Sequence, residues 1–167
     1  MFILLDGPDR VGKDTLARKL ISHFQNNIFL NLHTIHIDGY DREKYYAWYE
    51  YIFTLALQHS VILNRTHLSE YVFGRLYRRY DSSGIFEVEK IINAKDDVFL
   101  FLLIDDIDNL LKREDGQSIY SNAKEKELEL QAFEEGYKKS SITRKHSINI
   151  RDKSPDEVFD IVIKAMS

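Results

Sequence analysis

Short apolar runs alternate with amphipathic segments along the whole chain. Apolar runs that end at turn residues are typical of buried strands. The expected strands are 2–6, 28–38, 60–63, 98–104 and 146–150. Apolar residues spaced three and four apart indicate helices between these strands. The expected helices are 14–24, 45–58, 67–79, 85–94, 106–113, 127–139 and a last one from 155.

The segment 98–104, VFLFLLI, is the most apolar run and predicts a central parallel strand that is buried on both faces. Strands that alternate with helices predict an α/β fold, here a five-stranded parallel sheet flanked by helices. Ser154 is expected to cap the last helix, with Pro155 in its first turn and Glu157 completing a capping box. We see no linker in residues 1–167 and expect a single domain.

Composition narrows the class of protein. At 167 residues and 44% hydrophobic content, the chain can bury one sizeable core. The formal net charge of −4 argues against a broad cationic face, so we predict no stable binding of nucleic acid. Cysteine is absent, which excludes disulfides and thiolate metal sites. No apolar run approaches the roughly 18–20 residues of a membrane span, and the chain lacks a signal peptide's basic start, so we expect a cytoplasmic protein without membrane contact.

The first strand and helix enclose the sequence LLDGPDRVGKDT, residues 4–15. Gly7, Gly12 and Lys13 give the spacing G-x-x-x-x-G-K, in which glycines let backbone N–H groups point at phosphates. The lysine of such a loop reaches the outer phosphates. The sequence therefore predicts that ATP binds at this loop.

The residue after the lysine departs from this motif. A Ser or Thr whose hydroxyl meets Mg²⁺ is expected there, but the chain has Asp14, followed by Thr15. A carboxylate is a suitable ligand for a hard cation, so Asp14 and Thr15 are candidate magnesium ligands. Alternatively, Asp14 is only an acidic residue in the first turn of a helix, where the helix dipole favours it.

The loop sequence GPDRVGKDT resembles the phosphate-binding loop of thymidylate kinases, whose pattern is G-x-D-R-x-G-K-[ST]-T. The resemblance implies a P-loop kinase fold with Asp9 near the deoxyribose 3′-hydroxyl of a bound monophosphate. It also implies that Arg10 contacts the transferring phosphoryl group, a role worth on the order of 10³–10⁵ in rate. Kinases with this arginine need none in the lid, and the lid expected at 113–124 has none after Arg113.

Two further segments resemble this family. VILNRTHLSEYVFGRLYR resembles the strand-end D-R segment of thymidylate kinases and the E-R-S segment of deoxynucleoside kinases, which implies that Arg65 contacts substrate or the transferred phosphate. The acid expected before it is Asn64, and a surface arginine at a strand end is the alternative for Arg65. The segment from LLKRED to FEEGY resembles the lid and its following helix, which implies that Arg113 lies against the adenine of ATP. A cation near a helix C-terminus is the alternative for Arg113.

The acceptor side departs from the family, because the R-[FY]-P segment is missing. Asp38 and Arg42 stand in this region, among many aromatic residues. Aromatic rings can stack on a base, although aromatics at helical spacing are usually core. The candidates for base contact are Tyr40, Trp48, Tyr71 and Phe73.

These features leave the acceptor open. A nucleoside presents a neutral 5′-hydroxyl, for which Asp38 would be a useful base. A monophosphate presents an oxygen that is already nucleophilic, and Arg42, Arg65, Arg75 or Arg78 could bind it. The Asp9–Arg10 loop favours a deoxynucleoside monophosphate kinase acting on a dTMP-like nucleotide, usually a homodimer in the family. A non-catalytic nucleotide-binding module is the third hypothesis.

Overall fold

A computed structural model of the protein describes residues 1–24, 29–33, 41–114, 118 and 122–167. Within these ranges, five parallel strands form one sheet with the order β2-β3-β1-β4-β5. The strands are β1 Phe2–Asp6, β2 Phe29–His33, β3 Ser60–Asn64, β4 Val98–Ile104 and β5 Lys145–Asn149. The predicted α/β class with a five-stranded parallel sheet is confirmed. Residues 34–38 of the second predicted strand lie outside the described residues.

Helices flank the sheet and connect its strands. They are α1 Lys13–His23, α2 Arg42–Gln58, α3 His67–Leu76, α4 Ile107–Lys112, α5 Ala123–Lys139 and α6 Pro155–Met166. A 3₁₀ helix, Ser83–Ile92, follows α3. In the described stretches of chain, no helix is both long and apolar enough to cross a membrane.

The sheet separates two hydrophobic cores, because successive side chains of a strand point to opposite faces. Phe2 and Leu4 of β1 join the core that includes residues of α2, α3 and α5. Ile3 and Leu5 join the core that includes residues of α1 and α6. β4 is buried at six consecutive positions, as its uniform apolar sequence predicts. This layering presents the carboxyl ends of β1, β3 and β4 along one edge.

Helix ends differ from the predicted bounds where capping decides them. α2 begins three residues earlier than predicted, because the Asp41 carboxylate accepts hydrogen bonds from the N–H groups of Glu43 and Lys44. α5 begins at Ala123, four residues earlier than predicted, with the Asn122 side chain as its cap. The capping box predicted for the last helix is confirmed, with Ser154 and Glu157 bonded reciprocally.

Two helices near the middle of the chain are shorter or tighter than predicted. α3 ends at Leu76 rather than at 79, and Arg79 has a left-handed φ of 64°, which a continuing helix cannot accommodate. The segment predicted as an α-helix over 85–94 is the 3₁₀ helix Ser83–Ile92.

Candidate functional site

The buried carboxylate of Asp6 anchors the loop that follows β1. Its two oxygens accept hydrogen bonds from the backbone of Gly7 at 2.9 Å, from N and Oγ1 of Thr66 at 2.9 and 2.6 Å, and from N and Oγ of Ser69 at 2.9 and 2.7 Å. Asp6 therefore ties the end of β1 to the start of α3. The glycine loop and the turn after β3 are held side by side by this one group.

The loop backbone adopts conformations that glycine provides. Gly7 has φ 134° and lies so close to β4 that a Cβ atom would stand 2.1 Å from the carbonyl oxygen of Leu103. Gly12, with φ 84°, precedes the first residue of α1. Arg10 also has a positive φ, 71°, although it carries a side chain. Strained residues of this kind cluster at ligand-binding sites.

Lys13 lies inside the loop and is 6% exposed. Its Nζ donates hydrogen bonds of 2.7 Å to the carbonyl oxygens of Gly7 and Pro8. Burial, together with the nearby guanidinium of Arg65, lowers the pKa of Lys13 to about 8. An incoming anion would relieve both effects, since it would stabilise the charged ammonium.

A cavity of about 500 Å³ opens above the loop at the carboxyl edge of the sheet. The residues that line it are Asp9, Arg10, Gly12, Lys13, Asp14, Thr15, Arg18, Asn64, Arg65 and Arg113. Five cationic side chains face two carboxylates there, although the whole chain carries a net charge of −4. The cavity brings together eight of the predicted site residues, and Gly7 forms the turn beneath them. Such a local concentration of positive charge is suited to a phosphorylated ligand.

Sequence reasoning did not select Arg18. It stands four residues after Asp14 on α1, so the two side chains share one helix face. This spacing of four residues could have identified Arg18 as a neighbour of the candidate magnesium ligand Asp14.

The turn after β3 supplies an ion pair at the cavity. The Arg65 guanidinium lies 2.6 Å from the Asp9 carboxylate, and Arg65 has a left-handed φ of 63°. Beside it, Asn64 donates a hydrogen bond from Nδ2 to Asp14. Asn64 is buried, and its Oδ1 finds no hydrogen-bond partner among the described residues. An acceptor oxygen of this kind is available to a ligand.

Arg113 crosses from the end of α4 to the loop. Its guanidinium pairs with the buried Asp105 carboxylate at 2.9 Å, and it lies 3.4 Å from the carbonyl oxygen of Arg10. A second cavity of about 210 Å³ adjoins the first at Arg10 and Arg113. Its other wall is mainly apolar and includes Ile150, Pro155 and Val158.

Of the other predicted substrate-binding residues, Arg42 and Tyr71 do not line this cavity. Asp38 and Tyr40 lie outside the described residues. Arg42, in the first turn of α2, stacks over Tyr46 at 5.9 Å from the ring centroid. Tyr71 is 1% exposed in the core, and its hydroxyl accepts hydrogen bonds from Arg75 and Lys139. A role in substrate binding stays a prediction for each of them.

The remaining candidates for base contact and anion binding have structural partners. Phe73 packs edge-on against Phe133 in the core, and Trp48 is half-buried on α2. Arg75 pairs with Glu135 at 2.9 Å. Arg78 pairs with the buried Glu70 and stacks on Tyr45 at 4.1 Å. These arginines cross-link the structure away from the cavity.

Two charged residues on α5 were missed by sequence reasoning. Lys126 is fully buried and pairs with Glu114 at 2.9 Å, and Glu129 is 2% exposed. Burial, together with the neighbouring carboxylate of Asp9, raises the pKa of Glu129 to about 7. Helical spacing is the sequence signal that could have found them, because both residues continue the buried face of α5 that includes Ala132 and Phe133.

Comparison with proteins of known structure identifies the type of fold. No protein-family model matches the sequence, and no curated protein matches it. The YorR protein of Bacillus subtilis, solved in complex with phosphorylated GDP, is 22% identical with a TM-score of 0.80, over 98% of this chain and 94% of that one. The thymidylate kinase of Ehrlichia chaffeensis is 18% identical with a TM-score of 0.66, over 100% of this chain and 98% of that one.

A gluconokinase from Sinorhizobium meliloti is also similar, at 14% identity and a TM-score of 0.60, over 98% of this chain and 90% of the other. The chain therefore has the fold of P-loop kinases, and the predicted fold type is confirmed. Structures with this fold carry the names of kinases with different acceptors. The fold therefore does not identify the acceptor, which depends on the side chains of the site.

Proposed function

We propose that the protein transfers the γ-phosphoryl group of ATP to a nucleotide, with a deoxynucleoside monophosphate of the dTMP type as the acceptor. The observation that carries this proposal is the cavity at the carboxyl edge of the sheet, where a glycine loop meets five cationic side chains. Ligands of α/β proteins bind at this edge. A cavity of about 500 Å³ is within the usual range for small-molecule sites.

The donor nucleotide would lie along the loop after β1. Its phosphates would meet the backbone N–H groups at the start of α1 and the ammonium of Lys13, which would exchange the carbonyl oxygens of Gly7 and Pro8 for phosphate oxygens. The adenine would occupy the adjoining cavity of about 210 Å³, between Arg113 and the apolar wall that includes Ile150. A flat base suits a slot with a guanidinium on one side and apolar side chains on the other.

The acceptor would lie on the side of Arg65 and Asp9. In the reaction, an oxygen of the acceptor phosphate bonds to the γ-phosphorus, the bond to the bridging oxygen breaks, and ADP leaves with that electron pair. The acceptor oxygen is already anionic, so positioning and charge neutralisation are the main requirements. Arg10, on the strained loop between donor and acceptor, would neutralise the group in transit.

Mg²⁺ is the expected cofactor, and the oxygen atoms at this site fit it. The Thr15 hydroxyl, the Asp14 carboxylate and Oδ1 of Asn64 are hard donors at one wall of the cavity. In the described part of the chain, no three acidic or histidine side chains converge into a metal cage. Binding through one or two protein ligands and the phosphates is typical of Mg²⁺ in kinases, where it neutralises charge on the phosphates.

The similar structures support the proposal without deciding the acceptor. One is named a thymidylate kinase, and another was solved with phosphorylated GDP. The preference for a monophosphate rests on the paired Asp9 and Arg10 of the loop, which resemble the thymidylate kinase pattern.

The test is ATP consumption measured with each deoxynucleoside and each deoxynucleoside monophosphate as acceptor. We expect turnover with a monophosphate and a loss of about 10³-fold or more in kcat for Arg10→Ala. The matched control is Arg144→Ala, an exposed arginine just before β5, at the opposite edge of the sheet. Turnover with nucleosides alone would overturn the monophosphate assignment. Nucleotide binding without turnover on any acceptor would favour a non-catalytic module.

A further inference from the structure

The buried stripe of α5 changes from apolar to charged along its length. In its second half, Ala132, Phe133 and Gly136 pack into the core, where Gly136 lies against the Tyr71 ring. In its first half, the same face carries Lys126 and Glu129, which are 0% and 2% exposed. A helix face that is buried throughout is normally apolar, so the two charged residues need a reason.

The carboxyl of Glu129 is incompletely satisfied. Its Oε1 is buried and has no hydrogen-bond donor in the described part of the chain. The neighbouring cation on the helix, Lys126, is directed to Glu114 at 2.9 Å. A buried polar atom without a partner is destabilising, so such atoms are uncommon in folded proteins. A retained one is a candidate for a functional role.

Most of the charges that act on Glu129 belong to the cavity above the loop that follows β1, which we call the phosphate site. Asp9, Lys13 and Arg65, which act electrostatically on Glu129, all line the cavity, and Lys126, which also acts on it, stands on the same helix. The influence is mutual, because Glu129 also acts on the ammonium of Lys13. Glu129 is buried and is not one of the residues that line the cavity, so it acts on these cations from the protein interior.

Among the described residues, the charged groups that α4 and α3 bring to α5 already have other partners. At the α4 end, Glu114 is engaged by Lys126. From α3, Arg75 meets α5 beyond the apolar half of the stripe, where it pairs with Glu135.

We propose that Glu129 is the internal counter-charge of the phosphate site: its carboxylate balances Lys13 and Arg65 before substrate binds, and it takes up one proton from solvent when substrate phosphates replace it. The inference rests on the proposed function, because it needs phosphates to enter the cavity. Glu129 is a positioning residue, acting through Lys13 and Arg65. Ionised Glu129 would compete with phosphate for these cations, whereas the neutral acid leaves them to the ligand.

Proton uptake on binding is the decisive measurement. Mg²⁺-ATP, without acceptor, is titrated into the protein by calorimetry at pH 7.0 in buffers that differ in ionisation enthalpy. Because Glu129 has a pKa of about 7, half of its carboxyls are ionised at this pH, and we expect uptake of about 0.5 proton per site. Lys13, with a pKa of about 8, is already mostly protonated and adds little.

Variants of Glu129 test whether this residue takes up the proton. Glu129→Gln should bind Mg²⁺-ATP with near-zero proton uptake, whereas Glu129→Asp should retain uptake. Glu127→Gln, on the exposed face of the same helix, is the matched control and should behave like the wild type.

Each result has a distinct meaning. Binding by the wild-type protein without proton uptake at pH 7.0, or uptake that persists in Glu129→Gln, would overturn the role of Glu129 and leave the kinase proposal intact. A complete lack of Mg²⁺-ATP binding by the wild-type protein would overturn the proposed function itself. The wild-type result decides the inference even if a variant fails to fold.

Discussion

Replacement of Gly7 by alanine tests the close approach of the phosphate loop to β4. Gly7 has φ 134°, and an added Cβ would stand 2.1 Å from the backbone oxygen of Leu103, a distance that real Cβ atoms essentially never show. The positive φ alone costs about 1–2 kcal/mol for a residue with a side chain. The clash adds about 1–3 kcal/mol, because a central strand rather than a flexible side chain must move.

Gly12→Ala is the matched control, because Gly12 has φ 84° but nothing within 4 Å of an added Cβ. The free energy of unfolding is measured for both variants by urea denaturation followed by circular dichroism. With a slope of about 2 kcal/mol per M, Gly7→Ala should lower the midpoint by about 1–2.5 M, and Gly12→Ala by at most about 1 M. Equal midpoints for the two variants would refute the argument that contact with Leu103, rather than backbone conformation, requires glycine at position 7.

Two further predictions concern the carboxylates of the site. Asp9→Ala should raise the KM for the acceptor while the KM for ATP changes little, because Asp9 lies with Arg65 on the proposed acceptor side; steady-state kinetics with an unchanged acceptor KM would place Asp9 outside recognition. Glu129→Gln should be more stable than the wild type at pH 8 but not at pH 4. The folded state raises the pKa of Glu129 from 4.5 to about 7, so it binds more protons than the unfolded state in this window. Stability therefore falls as pH rises from about 4.5 to 7, by about 3 kcal/mol, and the variant escapes this loss. Urea midpoints at the two pH values give the comparison, and a wild type as stable as the variant at pH 8 would contradict it.

The glycine-containing loop between β1 and α1 could be predicted from sequence because its signal is local. Gly7, Gly12 and Lys13 lie within seven consecutive residues, and their spacing alone brings backbone N–H groups together at a helix start. The same holds for the last helix, where Ser154 and Glu157 cap through bonds across one turn. The apolar run of β4 was equally informative, since a strand that is buried on both faces is apolar at successive positions and can be identified from its own sequence.

The remaining features depend on contacts between distant segments. The pairing of Asp9 with Arg65 joins residues 56 positions apart, and only the sheet order brings them together. Glu129 reads as one of several glutamates in a polar helix until its burial is known. Arg75 and Arg78 were candidates for anion binding because of their residue type. Each instead forms an ion pair with a glutamate, Arg75 with Glu135 and Arg78 with Glu70. Such partnerships are set by packing, which composition and periodicity do not encode.

The five hydrogen bonds accepted by Asp6 have a consequence for the timing of the proposed phosphoryl transfer. They join the loop after β1 to the turn that carries Arg65, so the relative position of these two turns, which would bind the anions, is set when the chain folds. Phosphoryl transfer at this site would then need no rearrangement of these hydrogen bonds. A slow conformational step in the cycle would therefore have to arise elsewhere in the protein, as the substrates enter or the products leave.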